Sequence, residues 1–291
     1  MILDSFVRCA EDLRLITVMV SQHGKLLQKY NWDDDCRRNI YSASKGFTSA
    51  AVGIAQREGL LSIDEKLTEA FAEDLPDEVP ENLQMATVRD LLTMQLGQRE
   101  PALMGGERPF IREEDWVKMS LAMPFEDRPG TKFLYSNVGP YLAGVLVQRR
   151  AGCDLVSYLM PRLFAPLGIR RPMWERDPQG MVFGAGGMFL NAPELNRLGL
   201  LYLQDGVWEG RQLIPREWVR ESTRKQAEND EYGYGYLFWM GEGDSFRADG
   251  KYCQYSIVLR RQDAVITILA ECREQEKLNR AIFDEIVPKL G

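Results

Sequence analysis

Runs that read as β-strands stand at both ends of this chain, and a long helical stretch separates them. Near the start, Leu13 to Val20 is apolar and β-branched, and Gly24 turns it into a second run, Lys25 to Tyr30. Towards the end, Tyr232 to Met240, Gln254 to Leu259 and Ala264 to Ala270 read as strands, and Lys277 to Leu290 as a closing helix. Between them, from about Asp64 to Arg171, the periodicity is helical, with segments expected near Val88 to Met94, Trp116 to Met123, Gly139 to Arg150 and Leu155 to Leu163. Ser62-Ile63-Asp64-Glu65 and Thr87-Val88-Arg89-Asp90 resemble helix starts, with Glu65 and Asp90 as reciprocal capping partners. Hairpin-like connections make the sheet antiparallel. The order predicts an α+β fold, an antiparallel sheet flanked by helices with a large inserted helical lobe. The expected division is one lobe from residues 1–60 and 172–291 and a helical lobe from 61–171, with the active site at their interface.

Tyr41-Ser42-Ala43-Ser44-Lys45-Gly46 carries the chemistry. A helix is expected over Ser42 to Arg57, with Phe47, Ala50, Ala51, Ile54 and Ala55 on its buried side and Gly59 as its stop. Ser42 and Lys45 then lie one turn apart on one face, with the hydroxyl at the positive end of the helix dipole. A lysine amine kept neutral by burial can take the hydroxyl proton. A cap serine followed by a solvated lysine has the same spacing, so the pair alone leaves both readings open. In Pro129-Gly130-Thr131-Lys132-Phe133-Leu134-Tyr135-Ser136-Asn137, a turn feeds a Tyr-Ser-Asn triplet. A tyrosine near a cationic lysine has its phenolate favoured and can act as a base, and an Asn two residues on can address a substrate carbonyl or the lysine. A buried aromatic with an Asn cap is the alternative.

Other features narrow the chemistry. The net charge of −7 is spread over interspersed acids and bases, with no basic block or stripe, so no nucleic-acid partner is expected. No apolar run approaches the length of a membrane span, and the acid-interrupted start, Met1 to Cys9, does not read as a secretory leader. Five scattered cysteines (Cys9, Cys36, Cys153, Cys253, Cys272) fit free thiols in a reducing compartment, and a cytoplasmic location is expected. The one histidine, His23, excludes a His-rich metal site. It sits in Ser21-Gln22-His23-Gly24-Lys25, which reads as a hairpin turn, and no G-x-S-x-G elbow is present to use it in a triad. Gly184-Ala185-Gly186-Gly187 lacks the phosphate-loop pattern and suits a tight turn or close backbone approach, before a helix starting at Asn191-Ala192-Pro193-Glu194. No cofactor is expected.

Taken together, Ser42-x-x-Lys45, Tyr135-Ser136-Asn137, Thr87-Val88-Arg89-Asp90-Leu91-Leu92-Thr93, Phe164-Ala165-Pro166-Leu167-Gly168-Ile169 and Gly186-Gly187-Met188-Phe189 resemble the penicillin-recognising serine hydrolases. The branch resembled is that of the class C β-lactamases and related esterases, including the 6-aminohexanoate-dimer hydrolase type. The resemblance runs from about Leu15 to Ile268. It implies that Ser42 is acylated, that Lys45 assists its deprotonation and hydrogen-bonds Tyr135, and that Tyr135 is general base and then general acid. Asn137 would position the acyl side. The family's third motif, on an edge strand, would fall at Ala248-Asp249-Gly250, with Gly250 keeping the strand flat against the ligand and the N–H groups of Ser42 and Lys251 as the oxyanion hole. Asn137, Asp249, Gly250 and Lys251 are the expected substrate-binding residues.

The departures bear on substrate. Ala248 stands where β-lactamases place a cation for the substrate carboxylate, with Arg247 and Lys251 as neighbouring cations. Cys253 replaces a glycine of the esterase-like segment, and Met94 and Leu96 replace polar residues. The resulting expectation is a serine hydrolase acting on a small ester or amide, as a monomer or weak homo-oligomer. A lysine at 248 would move it towards penicillins. A weak β-lactamase and a catalytically idle ligand-binding domain of the same fold are the alternatives.

Overall fold

The computed structural model describes residues 1–291. Its elements used below are the strands β1 (Leu15–Gln22), β2 (Lys25–Asn31), β3 (Trp239–Met240), β4 (Phe246–Gly250), β5 (Gln254–Leu259) and β6 (Ala264–Ala270). The helices are α1 (Asp4–Cys9), α2 (Lys45–Arg57), α3 (Val88–Leu92), α4 (Val138–Ala151), α5 (Ala192–Leu203) and α6 (Gln275–Glu285). The strands form one antiparallel sheet in the order β2-β1-β6-β5-β4-β3, so the two ends of the chain meet where β1 pairs with β6. This is the expected α+β architecture.

Both faces of the sheet are covered. The terminal helices α1 and α6 close one face through Leu3, Phe6, Leu278 and Ile282, packed against Val18, Ile257 and Ile268. The other face belongs to the larger core, where α5 lies across β6, β5 and β1. β5 and β6 are buried along their whole length and are mostly apolar, broken only by Gln254, Ser256 and Thr267, and their bounds agree with the sequence expectation. His23 and Gly24 both take left-handed backbone (φ 51° and 71°), which is the twist a two-residue hairpin between β1 and β2 requires.

Several local expectations shift. Tyr232 to Met240 is mostly loop, since left-handed residues Gly233 and Leu237 interrupt pairing and leave only Trp239–Met240 as strand. Ser62–Glu65 is a turn; the next helix begins at Leu67. Thr87 does begin α3, with the Asp90 carboxylate accepting from the Thr87 N–H (2.8 Å) and hydroxyl (2.7 Å). The α-helix expected from Ser42 starts at Lys45, and Tyr41–Ser44 forms a 3₁₀ turn leading into it. From Lys45 to Ala55 every residue of α2 is buried, so it is a central helix rather than one with a single apolar face.

Candidate active site

Ser42 is held by a tight turn. Tyr41 has left-handed backbone (φ 47°), its N–H donates to Asn39 Oδ1 (2.8 Å), and its carbonyl accepts the Ser44 hydroxyl (2.6 Å). A bulky residue in that conformation stores strain, and here it stands directly before the serine. Gly250 of β4 lies against the same turn: a Cβ there would collide with the Ile40 carbonyl oxygen. Gly250 therefore permits close approach of the strand to the Ser42 turn, a different use from the expected flat edge against the ligand.

Lys45 is 2 % exposed and its amine is fully engaged. Nζ lies 2.9 Å from Ser42 Oγ, 2.7 Å from Asn137 Oδ1 and 2.5 Å from the Ala185 carbonyl. The Asn137 amide is oriented by its other end, because Nδ2 donates to the Leu103 carbonyl (2.9 Å). Asn137 Oδ1 and Ala185 O can only accept. A neutral amine donates to both and keeps one lone pair, which the Ser42 hydroxyl can meet. Burial is the main force holding the Lys45 amine well below the ordinary lysine range; the Arg108 cation adds to it, and Asp249 opposes it.

Tyr135 is placed differently from expectation. Lys45 Nζ stands 5.1 Å from the centre of its ring and makes no hydrogen bond to its hydroxyl. Burial drives the phenol above its ordinary range, the Ser42 hydroxyl opposes this, and Asp249 reinforces it. A phenolate favoured by a cationic lysine does not fit a site whose burial disfavours the charged amine and holds the phenol's proton more tightly. The ring packs on Trp239 (centroids 5.3 Å) and edge-on to Tyr234 (6.4 Å).

These groups open into a cavity of about 670 Å³ whose wall includes Ser42, Tyr135, Asn137, Arg247, Asp249 and Lys251. Alternation along β4 turns Arg247 and Asp249 towards it, while Ala248 points into the main core and is 2 % exposed. Ala248 is thus not a missing cation of the site. Arg247 Nε donates to Asp249 (2.8 Å) and Nη2 to Glu231 (3.1 Å), so it is committed. Lys251 is exposed, and the Lys251 and Ser42 backbone N–H groups donate to no other group of the chain. Burial raises the Asp249 carboxyl, with the Arg247 cation opposing.

Sequence reasoning missed Arg108, Trp239, Glu231 and the Ala185 carbonyl, which the fold brings to the same cavity. Only the Gly184–Gly187 run signalled any of them. Gly187 has left-handed backbone (φ 78°), and a side chain there would collide with Glu175.

The family model for Beta-lactamase matches residues 3–287. A solved structure from Bacillus anthracis, assigned as a 6-aminohexanoate-dimer hydrolase, superimposes with a TM-score of 0.83 at 17% identity, covering 97% of this chain and 81% of that one. The D-aminopeptidase of Brucella anthropi is 32% identical over 143 residues, 47% of this chain and 26% of that protein. An uncharacterized protein of Alkalihalophilus pseudofirmus is 21% identical over 229 residues, 72% of this chain and 60% of its own length. The chain thus spans less than two thirds of these two curated relatives.

Proposed function

The chain belongs to the beta-lactamase family, and from that premise we propose that it is a serine hydrolase that forms an acyl-enzyme on Ser42. The observation that carries this reading is the buried Lys45 amine, 2.9 Å from Ser42 Oγ and held by the Asn137 Oδ1 and Ala185 carbonyl acceptors; in its neutral form it donates to those two and turns its lone pair to the serine hydroxyl. Ser42 Oγ attacks the substrate carbonyl carbon while its proton passes to Lys45 Nζ. The carbonyl oxygen, now negative, lies between the N–H groups of Ser42 and Lys251. Collapse of the tetrahedral intermediate re-forms the carbonyl and breaks the bond to the leaving group, which takes the Tyr135 proton. Tyr135 is the acid in this scheme, because its proton is held tightly until a strong base forms beside it. Proton return from Lys45 restores Tyr135, and water then releases the acyl group.

The substrate is a small ester or amide, and the names of the D-aminopeptidase and the aminohexanoate-dimer hydrolase favour the amide. Asn137 acts by holding Lys45. Lys251 is the cation open to a substrate carboxylate, and Asp249 keeps Arg247 out of that role. In this reading the cavity lies between a helical lobe, residues 61–171, and the sheet lobe, residues 1–60 and 172–291. No helix is long and apolar enough to cross a membrane.

Intact-mass measurement after exposure to a fluorophosphonate, a penicillin and an activated short-chain ester tests the reading. One adduct is expected with the fluorophosphonate, located at Ser42 and absent in Ser42→Ala, with a transient acyl adduct from the ester. Labelling that persists at another serine overturns it. Penicillin turned over through a transient adduct at Ser42, with no acyl adduct from the ester, selects the β-lactamase alternative.

A further inference from the structure

The two acceptors that fix Lys45 come from separate segments, Asn137 at the N-cap of α4 and Ala185 in the Gly184–Gly187 turn. Asn137 Oδ1 is oriented through the Leu103 carbonyl, and Leu103, fully buried, sits in left-handed backbone (φ 59°). That carbonyl also accepts Arg108 Nη1 at 2.9 Å. The second acceptor, Ala185 O, lies in the Gly184–Gly187 turn. Glu175 braces this turn from both sides: its N–H donates to the Gly187 carbonyl (3.0 Å) and its carbonyl accepts the Phe183 N–H (2.8 Å). Arg108 and Glu175 then join the loops by a fork, Nε to Oε1 at 3.1 Å and Nη2 to Oε2 at 2.9 Å, with the guanidinium 4.4 Å above the Phe183 ring. The contacts form a closed ring: Lys45, Asn137, Leu103, Arg108, Glu175, the Gly184–Gly187 turn, and back to Lys45.

We propose that the Arg108–Glu175 pair is a positioning device for the base: it locks the Leu103–Arg108 loop, whose Leu103 carbonyl orients Asn137, to the Gly184–Gly187 turn, which carries the Ala185 carbonyl, so that both acceptors hold the Lys45 amine towards Ser42, and it meters the positive charge facing that amine. The proposal rests on the reading of Lys45 as the base for Ser42. An exposed ion pair contributes little, but this one is forked, its arginine is 15 % exposed, and it closes a ring of hydrogen bonds. The charged groups facing Lys45 are Arg108, from the loop after Leu103, and Asp249, from β4; Ser42 and Tyr135 face it uncharged. Arg108 disfavours protonation of the amine, Asp249 favours it, and Glu175 moderates Arg108.

These opposite signs separate positioning of the base from general structural support. The rate of fluorophosphonate labelling at Ser42 would be followed against pH for the full chain and for Arg108→Gln, Arg108→Lys and Glu175→Gln, with thermal melts to check folding. In Arg108→Gln the midpoint of the rise in rate should move to higher pH, and labelling at neutral pH should slow by about tenfold. In Glu175→Gln the midpoint should move to lower pH. Arg108→Lys keeps the charge and loses the fork, so its midpoint should stay near wild type while the maximal rate falls. Should Arg108→Gln fail to fold, Glu175→Gln and Arg108→Lys still decide. Unmoved midpoints, or a shift in the same direction for both charge-removing variants, overturn the proposal. A wild-type chain that is not labelled at Ser42 overturns the serine-hydrolase reading and this inference with it, whereas a labelled wild type with unmoved variants overturns this inference alone.

Discussion

At the scale of single residues, the proposed mechanism has Lys45 and Tyr135 divide the proton between them by environment. Burial pushes the amine down and the phenol up, and in the proposed mechanism the amine therefore accepts the serine proton while the phenol keeps its own until a leaving group needs it. Lys45→Met should slow acylation by about 10²–10⁴-fold with any substrate. Tyr135→Phe should depend on the leaving group: a modest loss with p-nitrophenyl acetate, whose phenolate departs unaided, and a large one with an alkyl ester or amide. Acylation rates for both variants across that series check the division. Equal losses for Tyr135→Phe with good and poor leaving groups would sink its role as the acid.

At the scale of elements, β4 illustrates why neighbouring residues have unlike fates. Arg247 and Asp249 face the cavity, Ala248 faces the core, and Gly250 touches the serine turn. Ala248→Lys would bury an unpaired cation, costing about 3 kcal/mol or more, and a Tm fall of roughly 5–10 °C should accompany it without any gain in penicillin turnover. An unchanged melt with faster nitrocefin hydrolysis would mean that the side chain reaches the cavity after all. Gly250→Ala should leave the sheet folded but displace the Ile40–Ser42 backbone, lowering labelling of Ser42 at all pH values. Thermal melts beside labelling rates distinguish the two variants, since one fails mainly in stability and the other in chemistry.

At the scale of the whole molecule, the buried Lys45 amine, its proton affinity lowered by burial, ties stability to pH. In the unfolded chain Lys45 keeps its proton up to the ordinary lysine range near 10.5, and in the folded chain it gives the proton up at lower pH. Between those two values folding releases a proton, so the unfolded state binds more protons and stability rises with pH. Below the folded value both states are protonated and the slope from this group vanishes; above the ordinary lysine range it vanishes again. The stability of wild type relative to Lys45→Met should therefore climb as pH rises through that window, by at most about 1.4 kcal/mol per pH unit. Urea unfolding of both proteins over a pH series checks this, and a difference that is flat or falls with pH contradicts a neutral buried amine. Taking the difference removes the contributions of the tyrosines common to both chains.

The sequence alone determined whatever depends on near neighbours along the chain. The strands β5 and β6 are legible in their predominantly apolar runs, the hairpin in His23-Gly24, the start of α3 in Thr87 and Asp90, and the Ser42–Lys45 pair in its spacing. Tertiary structure decided the rest, because it depends on groups far apart in the chain. Asn137 and Ala185 engage the amine across 92 and 140 residues. Arg108 meets Glu175 across 67 residues, and nothing local marks either as a partner. Which side of β4 faces the cavity follows from its pairing and from the elements packed on it, and so does the fate of Ala248. Whether Lys45 is a cation or a base turned on the same long-range packing: a lysine three residues after a serine is ordinary in water, and exclusion of water by the assembled core lowers its affinity for the proton.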